Sequence, residues 1–165
     1  EKTYNDGCEY FFQSGDDIKF LKKGWVNECI KQLERNNNIG LTGPLDIGRI
    51  MHGSDESKPG GSRFIQTQSF VSRKHYEIFG YFFPNEIVNW CCDDWINDIY
   101  KPDLFFPLRN HFCSNQGGKP RYIINNDHEF SGLECLMELK KEKFCYYSSK
   151  KSMRPLPPKY HLEFT

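Results

Sequence analysis

An α/β domain is predicted by three observations. Glu9-Tyr10-Phe11-Phe12 is a short apolar run that stops at Gln13-Ser14-Gly15-Asp16-Asp17, where a glycine and two carboxylates mark a turn after a strand. Trp25, Val26, Cys29, Ile30 and Leu33 recur at helical spacing. The polar run Asn36-Asn37-Asn38 then closes that helix ahead of a second strand, Ile39-Gly40-Leu41. Alternation of this kind builds a sheet covered by helices, and ligands of such sheets gather at the carboxyl ends of the strands.

The remaining elements follow in order. From Gly43-Pro44 to Gly60-Gly61 the composition is mostly Gly, Pro, Ser, Asp and Lys, which predicts a long loop. Phe64 to Val71 reads as a strand with polar residues on both faces, Gln66 and Gln68 on one and Thr67 and Ser69 on the other. Ser72 caps a short helix that ends near Gly80. Asp93-Asp94 opens a further helical segment carrying Trp95, Ile96 and Ile99. Leu108 to Phe112 and Tyr122 to Ile124 read as strands, and Phe130, Leu133, Leu136 and Met137 as one helix face. Pro155, Pro157 and Pro158 predict an extended tail, so the chain divides into a domain over 1–145 and a Pro-rich tail over 146–165.

Composition narrows the function classes. With 22 basic and 22 acidic side chains in 165 residues the net charge is zero, which gives no bulk attraction to nucleic acid or to a membrane surface. No apolar run approaches membrane-spanning length. Aromatic residues make up 16% of the chain, enough for an aromatic core or for surfaces on which sugar rings stack. The seven cysteines are an odd number without Cys-x-x-Cys spacing, so free thiols are expected rather than a disulfide framework or a zinc ribbon. Together with the absence of a sequon or signal pattern, this leans towards a reducing, cytoplasmic setting; an anchor upstream of Glu1 would place the chain in a secretory lumen instead.

Three constellations carry candidate chemistry. Asp16-Asp17 places hard oxygen donors in a turn, where magnesium or manganese binds while leaving positions for phosphate oxygens. An isolated pair of this kind is more often a polar turn or a helix cap. Asp93-Asp94, flanked by Trp90 and Trp95, offers a base beside aromatic surfaces suited to a hydroxyl-rich acceptor; the plainer alternative is a helix cap beside core tryptophans. Arg109-Asn110-His111 supplies an imidazole able to complete a metal shell, and Lys119 and Arg121 supply cations for a diphosphate. Gly-x-Gly-x-x-Gly, Walker and Gly-x-Ser-x-Gly motifs are absent, so the candidate sites are acids rather than a glycine-rich phosphate loop or an activated serine.

Longer stretches carry a resemblance. These are Tyr10-Phe11-Phe12-Gln13-Ser14-Gly15-Asp16-Asp17-Ile18 with Gly24-Trp25, then Gly40-Leu41-Thr42-Gly43-Pro44-Leu45-Asp46, and Thr67-Gln68-Ser69-Phe70-Val71-Ser72-Arg73-Lys74-His75. The last continues through Ile78-Phe79-Gly80 and Phe83-Pro84 to Asn89-Trp90-Cys91-Cys92-Asp93-Asp94-Trp95-Ile96. The series resembles the GT-A glycosyltransferases, in particular the nucleotide-diphospho-sugar transferases of large viruses and various eukaryotes. The resemblance implies the C-terminal part of a GT-A fold, with a mixed sheet flanked by helices. It also implies transfer of a sugar from a nucleotide-diphosphate donor to a hydroxyl or carbohydrate acceptor. In that family's terms Asp17, with Asp16 beside it, is a DXD-like motif holding a divalent metal, manganese or magnesium, on the diphosphate. Asp94, with Asp93 beside it, matches the acid that acts as base in inverting members. His111 falls where such enzymes often place a C-terminal histidine on the metal, and Arg121-Tyr122 resembles a following strand. Gln68, Trp90 and Trp95 would position the acceptor.

The family's nucleotide-binding half normally precedes the acidic turn, and the fifteen residues before Asp16 are too few for a βαβ unit. A truncated or degenerate chain is therefore expected, and a non-catalytic carbohydrate-binding or interaction module is the main alternative. A polymerase palm also uses a Gly-Asp-Asp turn, but it needs a basic groove, which a net charge of zero does not favour.

Overall fold

The computed structural model describes residues 1–48, 65–85, 87 and 92–117. Among the described residues nine elements run in order: α1 (Lys2–Asn5), β1 (Tyr10–Gln13), β2 (Ile18–Phe20), α2 (Trp25–Glu34), β3 (Leu41–Asp46), β4 (Ser69–Ser72), α3 (Arg73–Phe79), α4 (Cys92–Tyr100) and β5 (Phe105–Asn115). The strands form one mixed sheet in the order β1-β4-β3-β5-β2. β3 and β5 run parallel, while β1 with β4, β4 with β3 and β5 with β2 are antiparallel. β1, β3 and β5 therefore share a direction. Their carboxyl ends, with the amino ends of β2 and β4, form one end of the sheet.

The sheet is curled. β1 and β2 are its two edges, yet they are consecutive in sequence and joined only by residues 14–17. In a flat sheet of five strands those edges would lie about 19 Å apart. The rings of Phe12 on β1 and Phe20 on β2 instead sit 5.9 Å apart, and Trp25 at the start of α2 closes on both, 4.6 Å from Phe12 and 4.7 Å from Phe20. These aromatic contacts hold both ends of the acidic turn.

The strand alternation of period two sorts two cores. Phe12 and Phe70 face each other across β1 and β4 and pack under α2 with Cys29, Leu33 and Trp25. The neighbouring pair, Phe11 and Val71, faces the other way, into a core made with Ile78 and Phe79 of α3 and with Trp95, Ile96 and Ile99 of α4. Helix α2 ends as the sequence predicts. Asn37 and Asn38 take left-handed backbone conformations at φ 56° and 57°, which asparagine tolerates, and the Asn38 N–H returns to the Leu33 carbonyl at 2.7 Å. The Ser72 side chain accepts from the Lys74 N–H at 3.2 Å to start α3, and Gly80, at φ 85°, ends it.

Several expectations change. The long loop expected from Gly43 begins later, because Leu41–Asp46 is strand β3, buried over Leu41–Leu45 and paired with both β4 and β5. Gly43, at φ 155°, has no side chain because Gln66 and the Gln68 carbonyl cross where one would stand; a Cβ there would meet the Gln68 oxygen and lie 2.9 Å from Gln66 Nε2. The strand expected over Phe64 to Val71 is shorter, Ser69–Ser72, since Gln66 is bound by the side chain of Asn97 rather than by a neighbouring strand. The strand expected over Leu108 to Phe112 extends across Phe105–Asn115. It bulges opposite Pro44 and Leu45, where the register steps from Leu108 to Phe112. β2 and α1 were not foreseen. The strand at Tyr122 to Ile124, the helix around Phe130 to Met137 and the tail lie outside the described residues. Among the described residues no helix is long and apolar enough to cross a membrane.

Candidate functional site

The two acidic pairs lie at the same end of the sheet. Asp16 and Asp17 follow β1 and precede β2, at the carboxyl end of the parallel pair β3 and β5. Helix α4 runs back across that sheet. Asn97 binds Gln66, which reaches the Pro44 carbonyl near the end of β3, whereas after α4 the Leu104 carbonyl accepts from Leu41 N–H, at the beginning of β3, at 2.9 Å. The first turn of α4, with Asp93 and Asp94, thus points to the end that carries Asp16 and Asp17. At the same end of the sheet are Gln13 of β1 and Ser69 of β4, which are register partners, with Gln68 the residue before Ser69.

The turn is anchored to β5. Ile18 pairs with Asn115, and the Gln116 N–H donates to the Asp17 carbonyl at 2.7 Å. The Gly117 N–H donates to Asn115 Oδ1 at 2.7 Å. A Cβ on Gly117 would collide with Asp17 Oδ2 and lie 2.9 Å from Asn115 Oδ1, so the carboxylate and the amide oxygen converge on one spot that only glycine leaves open. Gly15 flanks the carboxylate from the other side: a Cβ there would come within 2.7 Å of Asp17 Oδ1. Asp16, Asn115, Gln116 and Gly117 are exposed and Asp17 is half-buried. Asn115 and Gly117 escaped the sequence reading, although a polar Asn-Gln-Gly turn directly after a strand is a signal that points to them.

His111 is not part of this cluster. It is largely buried on β5, in the bulge between Leu108 and Phe112 and four residues before Asn115. Its field reaches Glu28 on α2, whose carboxyl is lowered first by its hydrogen bond to Lys31 and, among smaller causes, by His111. The expected trio of Asp16, Asp17 and His111 is therefore not assembled around one point. Among the described residues no three His, Cys, Asp or Glu side chains gather closely enough to hold one ion.

Asp93 and Asp94 are half-buried in the first turn of α4. Asn97 fixes that turn: its Nδ2 donates to the Asp93 carbonyl at 2.7 Å and to the Gln66 carbonyl at 3.0 Å, and its Oδ1 accepts from the Gln66 N–H at 2.7 Å. Trp95, expected to offer its ring to an acceptor, is instead fully enclosed among Phe79, Tyr81, Phe83 and His75. A ring with no exposed face cannot stack on a sugar, so Trp95 is a core residue that seats α4. Gln68, the residue before β4, is 4% exposed, with its Nε2 donating to Thr67 Oγ1 at 3.3 Å. Trp90, Lys119 and Arg121 lie outside the described residues.

Two of the described cysteines, Cys29 and Cys113, are buried. Cys8, Cys29 and Cys113 are free thiols. Burial pushes Cys29 up to about 12 and Cys113 up to about 11, the latter with help from Asp46, its register partner, so neither is a ready nucleophile at neutral pH.

Comparison of the chain with protein-family models, with curated proteins and with solved structures returned no match.

Proposed function

We propose that this chain is the metal-binding and acceptor-binding part of a glycosyltransferase of GT-A type, acting on a nucleotide-diphosphate sugar and a hydroxyl acceptor with inversion. The observation that carries the reading is the convergence of Asp16-Asp17 and Asp93-Asp94 on the carboxyl end of the parallel strands β3 and β5, the end at which α/β sheets bind ligands. The donor set fits a hard divalent cation. The Asp17 carboxylate and the Asn115 amide oxygen converge at Gly117, Asp16 stands beside them, and the surroundings are open to solvent and to phosphate oxygens.

A manganese or magnesium ion bound there would supply charge neutralisation for a departing diphosphate. The chain's own residues do the rest. Asp94, in the first turn of α4, accepts the proton of the acceptor hydroxyl as it becomes a nucleophile, and Asp93 beside it orients that hydroxyl. Asn97 holds the turn in place through its three hydrogen bonds. His111 has no part in this arrangement.

The test is turnover with a panel of labelled sugar nucleotides in manganese buffer. Asp94→Asn removes the base and leaves the Asp17 region intact, so transfer and donor hydrolysis should fall at least about a hundredfold while donor binding persists. Equal turnover in the variant refutes the assignment of Asp94. Donor binding without turnover in the parent chain makes it a non-catalytic binding module.

A further inference from the structure

The described glycines differ in what a side chain would meet. Gly7, Gly24 and Gly80 border open space but take positive φ, and a Cβ on Gly43 would run into the Gln68 carbonyl, so these four serve the backbone. Gly15 and Gly117 do not. Neither is among the glycines with positive φ, and at each the first atom a Cβ would meet is an oxygen of the Asp17 carboxylate, Oδ1 at Gly15 and Oδ2 at Gly117. The next nearest atoms belong to the side chains of Ile18, at Gly15, and Asn115, at Gly117; none of them is backbone. The carboxylate thus lies between two glycines that leave room for it.

The chain at Gly117 is pinned. The Gln116 N–H donates to the Asp17 carbonyl and the Gly117 N–H to Asn115 Oδ1, each at 2.7 Å, beside the pairing of Ile18 with Asn115. A methyl group added at Gly117 would therefore displace the carboxylate, the end of a side chain with two torsions, before it displaced backbone. The same Gly117 N–H identifies the Asn115 atom beside the carboxylate as the amide oxygen, since the amide nitrogen does not accept. A carboxylate oxygen and an amide oxygen converge at one glycine, and the partner that suits two such oxygens together is a hard cation.

We propose that Gly15 and Gly117 are positioning residues for a divalent cation: by carrying no side chain they let the Asp17 carboxylate lie between them, turned so that Oδ2 stands beside the Asn115 amide oxygen. The inference rests on the metal reading of Asp17 given above. A carboxylate held in its binding orientation before the ion arrives loses less rotamer freedom on binding, and a methyl group at either glycine removes that advantage.

The experiment uses the full chain, with manganese alone and manganese with inorganic pyrophosphate as probes. Binding is read from the electron paramagnetic resonance signal of free manganese, and folding from thermal melting. Gly117→Ala should weaken manganese binding about tenfold. Its melting temperature should be kept or raised, because alanine at an unstrained glycine position restricts the unfolded chain. Gly15→Ala should act in the same direction, and it decides the matter by the same measures if Gly117→Ala fails to fold. A double-mutant cycle supplies the readout that a structural role would not move: added to Asp17→Ala, Gly117→Ala should change manganese binding no further. Unchanged manganese affinity in a folded variant overturns the role of that glycine, as does a melting temperature that falls together with affinity. An effect of Gly117→Ala that persists in full without the Asp17 carboxylate also overturns it. A parent chain that binds manganese no better than Asp17→Ala overturns the metal reading and this role with it, whereas binding that needs Asp17 but neither glycine overturns the positioning role alone.

Discussion

His75 illustrates how much a single side chain contributes to the frame around the site. Its Nε2 lies 2.9 Å from the Phe82 carbonyl, which can only accept, so Nε2 carries the proton and Nδ1 accepts from the Tyr100 hydroxyl at 2.7 Å. Burial pushes its pKa down from 6.5 to about 4, against the smaller opposing pull of the backbone at Phe82 and Tyr81, and burial likewise raises that of Tyr100. The neutral ring, on α3, thereby ties that helix to α4 through Tyr100 and to the segment after α3 through the Phe82 carbonyl. A base whose folded pKa is depressed stabilises the fold fully above its unfolded value. As pH falls from 6.5 towards 4 the unfolded chain takes up a proton that the folded chain refuses, so stability should drop by about 1.4 kcal/mol per pH unit across that window and level off below it. Urea unfolding of the parent and of His75→Gln between pH 4 and pH 7 checks this. The parent should show the steeper slope; equal slopes would mean that His75 is not the group responsible. Nothing in the sequence singled out His75 for this role, because its partners, Tyr100 and the Phe82 carbonyl, are brought to it only by the packing of two helices.

At the scale of elements, periodicity and capping carried well. The apolar spacing from Trp25 to Leu33, the asparagines that close α2, and Ser72 and Gly80 at the ends of α3 all appear where local chemistry puts them. The failures share a cause. Strand β3 contains Gly43 and Pro44, local signals of a loop, and it forms because β5 pairs with it from about sixty residues away and because Gln66 fills the space that Gly43 leaves. β2 has only three residues and exists through its pairing with the far end of β5. The segment at Gln66 looks like strand by composition but is bound by Asn97, whose amide imitates a peptide group on both its N–H and its carbonyl. Asn97→Ala removes all three bonds and leaves the buried Gln66 N–H and carbonyl unsatisfied. It should cost about 2–4 kcal/mol in chemical denaturation and loosen the first turn of α4. A loss below about 0.5 kcal/mol would show that water replaces the amide without penalty.

For the whole molecule, the curl of the sheet decides where the acidic turn lies. By bringing the edges β1 and β2 together through Phe12, Phe20 and Trp25, it sets the Asp16-Asp17 turn against the end of β5, while the return of α4 across the sheet sets Asp93-Asp94 at the same end. The acidic pairs were legible in the sequence as motifs, and their shared location follows from strand directions that the sequence does not state. Asn115 and Gly117 as neighbours of Asp17, the displacement of His111 along β5 and the enclosure of Trp95 depend on register and packing, which no local pattern encodes. The central claim is that Asp17 anchors a metal and a diphosphate at this end. Calorimetric titration of a nucleoside diphosphate into the chain, with and without manganese, tests it most directly when repeated with Asp17→Ala. The account predicts binding that requires manganese and weakens at least about tenfold in the variant; affinity that is unchanged by the substitution, or by removal of the metal, would contradict it.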